Sequence, residues 1–184
     1  MMADRNGGWI QTFTGRKYWP IDPRPEDVDI RDIAHALAMN CRYTGHVHRF
    51  YSVAEHSWHV SHLVSKANAL AGLLHDATEA YIADIARPIK AAFTNYKEIE
   101  QRNWLAIAQA FDLPDELPKE IHEIDRNMLT VEKAALLYEH PQWETDFGLP
   151  RVPVKIFAWC PGVAEKMFLQ RFYELDALGL LPPV

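Results

Sequence analysis

Ser52-Val-Ala-Glu-His-Ser-Trp-His-Val-Ser-His-Leu-Val64 is the stretch whose reading decides the fold. Ser52 followed three residues later by Glu55 matches a capping box. The hydroxyl takes a backbone N–H of the first turn and the carboxylate reaches back to the Ser52 N–H. This start signal predicts a helix running to about Val64. Working outward, a second helix is expected over about Ala67–Ile82, with Leu70, Leu73 and Leu74 on a buried stripe. Pro88 interrupts, and Ile89–Phe93 adds a turn. Trp104, Ile107, Ala108 and Phe111 recur at helical spacing and predict a helix over Tyr96–Phe111. Pro114 and Pro118 bracket a loop. Ile121, Ile124, Met128, Val131 and Leu136 then predict an inward face on a helix from Glu120 to about Glu139. Pro141–Pro153 reads as a loop, and a last helix spans about Pro161–Leu178. Upstream, Cys41–Tyr51 has no helical period and reads as a loop. Asp29 or Asp32 caps a helix through Ile33–Met39. Pro20, Pro23 and Pro25 exclude regular structure up to about Glu26. Residues 9–21 alternate loosely around Gly15, as two short strands or an extended arm do. The expected fold is all-α: one domain over residues 1–184, a helical bundle with a short extended or β arm over residues 1–25.

Composition agrees with one core. The chain has 184 residues and a formal net charge of −6, and nearly half of it is apolar. Surface scaling at this size hides roughly 70% of the extended chain's surface on folding. The acidic balance argues against a surface built to wrap polymeric nucleic acid. Two cysteines, Cys41 and Cys160, are too few for a disulfide framework. No basic-then-apolar leader opens the chain, and no apolar run approaches the ~20 residues of a membrane span. A cytoplasmic protein without a membrane partner is the expectation. Nine histidines stand out in this acidic background.

Four positions, all inside expected helices, draw the chemistry together: His56, the adjacent pair His75-Asp76, and Asp125. Imidazole nitrogen with carboxylate oxygen suits a divalent transition ion such as Co, Mn, Fe, Ni or Zn. Such a set leaves positions open for water and a phosphate oxygen, which separates a catalytic ion from a structural one. Glu79, four residues after His75, lies on the same helical face and can pass a proton. Arg16, Lys17, Arg49, Arg87 and Lys90 are candidate phosphate grips, and Trp19 can stack on a base. Spacing alone leaves the other reading open: a helical His is commonly a satisfied core or surface group, Asp125 a solvated one, and Trp19 simple packing.

The flanks add a resemblance. Val53-Ala-Glu-His56-Ser, Leu73-Leu-His75-Asp76-Ala-Thr-Glu79-Ala, Asp84-Ile-Ala-Arg-Pro88-Ile-Lys90 and Ile124-Asp125 together resemble the HD-domain phosphohydrolases, with their H…HD…D pattern. The likeness is greatest to the branch of bacterial 5′-deoxynucleotidases and small phage dATP triphosphohydrolases, and covers about residues 10–135. It implies His56, His75, Asp76 and Asp125 as metal ligands, with Glu79 as acid/base and Asp76 helping to hold the attacking water. It implies phosphate contacts for Arg49 and Lys90, and a sugar contact for Asp84. Arg16, Trp19 and Ile21 match an arm near the nucleotide; Lys17 and Tyr18 separate Arg16 from Trp19, unlike the adjacent pair of many nucleotidases. Tyr18-Trp-Pro-Ile21 looks more like the phage enzymes, which frame an adenine with such residues.

The resemblance therefore implies hydrolysis of a small deoxynucleotide, leaning to a dNTP such as dATP, with release of deoxynucleoside and triphosphate. A dNMP nucleotidase is the alternative. A Mg-type ion on the substrate phosphates would be a second cofactor. From another class, a catalytically silent nucleotide sensor keeps the pocket without turnover, and a structural zinc protein is a further reading. The branch implies a homo-oligomer, with Trp143, Phe147 and Trp159 as interface or as packing on their own domain.

Overall fold

A computed structural model describes residues 5–139 and 152–177. The described residues form an all-α fold with a short antiparallel β arm. In the arm, strand β1 (Ile10–Gln11) pairs with β2 (Lys17–Tyr18), placing Ile10 opposite Tyr18. Gly15 turns the chain at φ +82°, a conformation that costs glycine nothing. Two contacts pin the arm. The Thr14 N–H and hydroxyl donate to the Asp32 carboxylate at 2.6 and 3.0 Å. Tyr18, fully buried, stacks on Tyr81 at 3.7 Å and donates its hydroxyl to Asn103 at 2.7 Å.

Helix α1 spans Ile30–Met39. Asp29 is its cap, accepting the Arg31 N–H at 2.9 Å, so it begins three residues before Ile33; Asp32 is occupied by Thr14 instead. A tight turn follows, in which Tyr43 (φ 57°), Thr44 (φ 54°) and Gly45 (φ 79°) are left-handed in succession. For the two non-glycine residues this costs roughly 1–3 kcal/mol each.

Helix α2 spans Val53–Leu63, and Ser52 caps it by accepting the Glu55 N–H at 3.0 Å. The returning half of the expected capping box is not made. The Glu55 carboxylate points instead at a later segment and accepts the N–H groups of Phe157, Ala158 and Trp159 at 2.7, 2.9 and 2.7 Å.

The helix expected over Ala67–Ile82 is broken in two: α3 is Ala69–Leu74 and α4 is Glu79–Ile82. His75 and Asp76 therefore lie in the break, not inside a helix. There the backbone tightens to i→i+3 bonds, Ala77 N–H to Leu74 C=O at 2.9 Å and Glu79 N–H to Asp76 C=O at 3.0 Å. The His75 ring takes the Gly72 carbonyl at 2.9 Å, an acceptor that a continuing helix would give to the residue-76 N–H. Gly72 itself lies against α2: a Cβ there would meet Val64 Cγ2 at 3.0 Å.

Four helices follow: α5 (Arg87–Lys90), α6 (Tyr96–Ala110), α7 (Lys119–Leu136) and α8 (Pro161–Ala177). One apolar cluster joins Tyr18, the inner faces of α1 and α3, Trp104 and Ile107 of α6, and Phe168 and Leu175 of α8. A second joins Val60 of α2 and Val64, just past its end, to Ile121, Met128 and Leu136 of α7. Helices α2 and α3 contribute to both clusters, and these two elements deliver the histidines.

Candidate metal centre

His56 sits in the first turns of α2, His75 caps the end of α3, Asp76 occupies the break, and Asp125 lies in the second turn of α7. His56 Nε2 is 3.3 Å from His75 Nε2, 3.1 Å from Asp125 Oδ1 and 3.7 Å from Asp76 Oδ2. His75 Nε2 is 3.2 Å from Asp76 Oδ2. One donor atom each from His56, His75 and Asp125 lies within 4.8 Å of the others. Sequence reading named these positions, and the fold brings all four together.

The far sides of the rings fix their orientation. His56 Nδ1 donates to Glu132 Oε1 at 2.6 Å, and His75 Nδ1 donates to the Gly72 carbonyl at 2.9 Å. With both Nδ1 atoms so engaged, both Nε2 atoms face one point and are the atoms that would bind a metal once it displaces their protons.

The charges agree. Burial resists protonation of His75, yet the Asp76 carboxylate, with Asp125 behind it, raises its pKa to about 9. Burial would raise Asp76, but the His75 and His56 rings pull it down to about 2. Asp125 is held below the ordinary carboxylate range against its burial, chiefly by His56. The convergence point thus attracts positive charge. Two nitrogens and carboxylate oxygens around it fit a divalent transition ion in donor chemistry.

Glu79 opens α4 beside this point and is 8% exposed. Burial first, then the charges of Asp76 and Asp84, push its pKa up to about 9. Its Oε2 is buried with no hydrogen-bond partner among the described residues. A carboxyl that keeps its proton at neutral pH is suited to act as an acid. His75, Asp76, Glu79 and Asp125 all line a cavity of about 540 Å³, whose wall also carries Lys90, Lys97, Trp104 and His122. Glu100, Asp115 and Glu116 line it too, and Glu100 receives the Lys90 ammonium at 3.0 Å.

The other expected contacts lie elsewhere. Arg49 is exposed on the loop before α2 and is not in the cavity wall. Asp84, half-buried after α4, acts on Glu79 through its charge. Arg16 lies 3.6 Å from Asp29 and donates to the Glu26 carbonyl. Lys17 covers Trp9. Trp19 lies under the Arg5 guanidinium at 4.1 Å. Ile21 lines a separate depression with Arg102 and Leu105. Arg87 lies in α5. Of the three aromatics raised as an interface, Trp143 and Phe147 lie outside the described residues. Trp159 packs on Trp58 and Phe157 of its own chain.

Two residues went unnamed in the sequence reading. Glu132, fully buried on α7, accepts from His56, Tyr43 and Tyr51 and faces Arg42 Nη2 at 3.3 Å. Burial opposes its charge, but Arg42 and then His56 hold it below the ordinary carboxylate range. Arg42 Nη1 reaches Asp76 Oδ2 at 3.4 Å. A usable signal existed for Glu132 alone: it stands seven residues, two helical turns, after Asp125 and so shares its face.

Among the described residues, no helix is long and apolar enough to cross a membrane. No family model matches the chain. An uncharacterized protein of Rhodobacter capsulatus is 41% identical over 123 residues, covering 61% of this chain and 63% of that protein. The uncharacterized protein YfdR of Escherichia coli (strain K12) is 35% identical over 172 residues, covering 92% of this chain and 97% of YfdR. On that extent of identity, the chain belongs to the family of YfdR.

Proposed function

We propose that the chain is a cytoplasmic, metal-dependent phosphohydrolase of the HD-domain type, acting on small deoxynucleotides as a homo-oligomer. The observation that carries this reading is the convergence of His56, His75 and Asp125, with Asp76 beside them, next to a cavity lined by His75, Asp76, Asp125 and Glu79. Those four side chains would hold a Co, Mn, Fe, Ni or Zn ion. Such an ion supplies charge neutralisation at the phosphoryl group and activation of water when bound.

The chain's own groups supply the rest. Asp76 orients water at the floor of the cavity. Glu79, buried in the wall beside that point, protonates the departing sugar 5′-oxygen. Lys90 and Lys97 face the phosphate from the wall, and Asp84, whose charge reaches Glu79, stands as the sugar contact on the strength of the resemblance; Arg49, outside the wall, has no part in this reading. Positioning and charge compensation account for most of the acceleration in reactions of this class.

A monophosphate fits this wall better than a triphosphate. Two lysines, one already held by Glu100, face a lining that also carries Asp115 and Glu116. The triphosphate reading drew on Trp19 and Ile21, which lie against Arg5 and in a separate depression. The test is incubation of purified protein with Co²⁺ or Mn²⁺ and a panel of dNMPs and dNTPs, followed by chromatography. Metal-dependent conversion of dNMPs to deoxynucleosides and phosphate is expected. Triphosphate released from dATP would replace the monophosphate reading, and nucleotide binding without any turnover would establish a sensor.

A further inference from the structure

We infer that Glu132 is a positioning residue for the metal centre, acting through His56, and that Arg42 ties it to Asp76. The inference rests on the metal reading above and adds how the ligands are held.

Glu132 has no access to solvent. Its Oε1 accepts the His56 Nδ1–H at 2.6 Å and the Tyr51 hydroxyl at 3.0 Å. Its Oε2 accepts the Tyr43 hydroxyl at 2.7 Å and faces Arg42 Nη2 at 3.3 Å. Four donors on two oxygens leave the carboxylate one orientation, and the His56 ring cannot turn without losing the shortest of these bonds. A carboxylate on the far nitrogen of a ligating imidazole fixes its tautomer and raises its basicity. The other prong of Arg42 reaches Asp76 Oδ2 at 3.4 Å. One guanidinium therefore links the group behind His56 to the group beside His75. Helix α7 serves the centre twice, directly with Asp125 and indirectly with Glu132.

A plain buried ion pair would account for less. Such pairs contribute little compared with apolar residues of the same volume. This one terminates on the surroundings of two metal-binding side chains. It is also supplied by a turn whose Tyr43 and Thr44 are both left-handed, and strain of that kind clusters at functional sites.

The test is a Co²⁺ titration of the full chain, read by visible absorption with a competing chelator. Wild type is compared with Glu132→Gln, which keeps the shape and removes the charge, and with Arg42→Lys. Glu132→Gln is expected to weaken Co²⁺ binding by about 10–100-fold and to shift the cobalt ligand-field bands. Arg42→Lys should change both in the same direction by less. Thermal melts of the metal-free proteins check folding. If Glu132→Gln does not fold, Tyr51→Phe, which strips one neutral donor from the same carboxylate, should give the band shift on a smaller scale. Binding within twofold of wild type with unchanged bands, whatever the melting temperature, would make Glu132 a structural residue and overturn the inference. Failure of the wild type itself to take up Co²⁺ would refute the metal reading, a result separable because it needs no variant.

Discussion

Glu79 holds a proton that the unfolded chain releases. Burial and the charges of Asp76 and Asp84 push its pKa up to about 9, against 4.5 for the free group. The native state therefore binds more protons between these values, and this residue's contribution to stability is lost as pH rises through that window. Glu79→Gln removes the titrating group. The metal-free variant is expected to melt above the wild type at pH 8, with the difference vanishing toward pH 4. The same change should cut phosphate release by about 100–10,000-fold, the span of a lost acid. A variant that melts below the wild type at pH 8 would contradict the raised pKa. At this scale the sequence named His56, His75, Asp76, Glu79 and Asp125, which the fold brings to one place, although His75 and Asp76 lie in a break and not inside a helix. Arg42 was not legible, because its role comes from a turn meeting α7 some ninety residues on, and no local period encodes that meeting.

Elements follow local signals until a tertiary hydrogen bond competes. Ser52 caps α2 as its position dictates. Glu55 abandons the local box because three N–H groups of residues 157–159 are a stronger partner set for a buried carboxylate. Ser52→Ala should cost about 1 kcal/mol. Glu55→Ala should cost about 3 kcal/mol or more, since charged hydrogen bonds are lost and buried donors left unmet. Chemical denaturation of both variants measures the contrast, and equal losses would show that Glu55 serves only the local cap. The break between α3 and α4 could not be read from Leu73–Ala80, which contains no glycine or proline and keeps a helical period. It is made by i→i+3 bonds together with the His75 ring on the Gly72 carbonyl. The amphipathic α1, α6 and α7 were legible because their apolar spacing matched the faces they bury.

The whole molecule places its chemistry on α2, α3 and α7, where the two apolar clusters meet. The two clusters are built from apolar side chains, and His56, His75, Asp76 and Asp125 belong to neither, so a chelator should stop hydrolysis while leaving the chain folded, with a lower melting temperature. Unfolding on chelation, seen by circular dichroism, would point to a structural metal instead. Leu73→Ala, in the fully buried floor of the first cluster, should cost about 2–5 kcal/mol in chemical denaturation. The central claim is tested most directly by phosphate release from a dNMP with and without Mn²⁺ or Co²⁺, comparing wild type with Asp76→Ala. Metal-dependent release by the wild type, absent in a folded Asp76→Ala protein that no longer binds the metal, is the expected result. Full activity in a metal-free Asp76→Ala protein would contradict it.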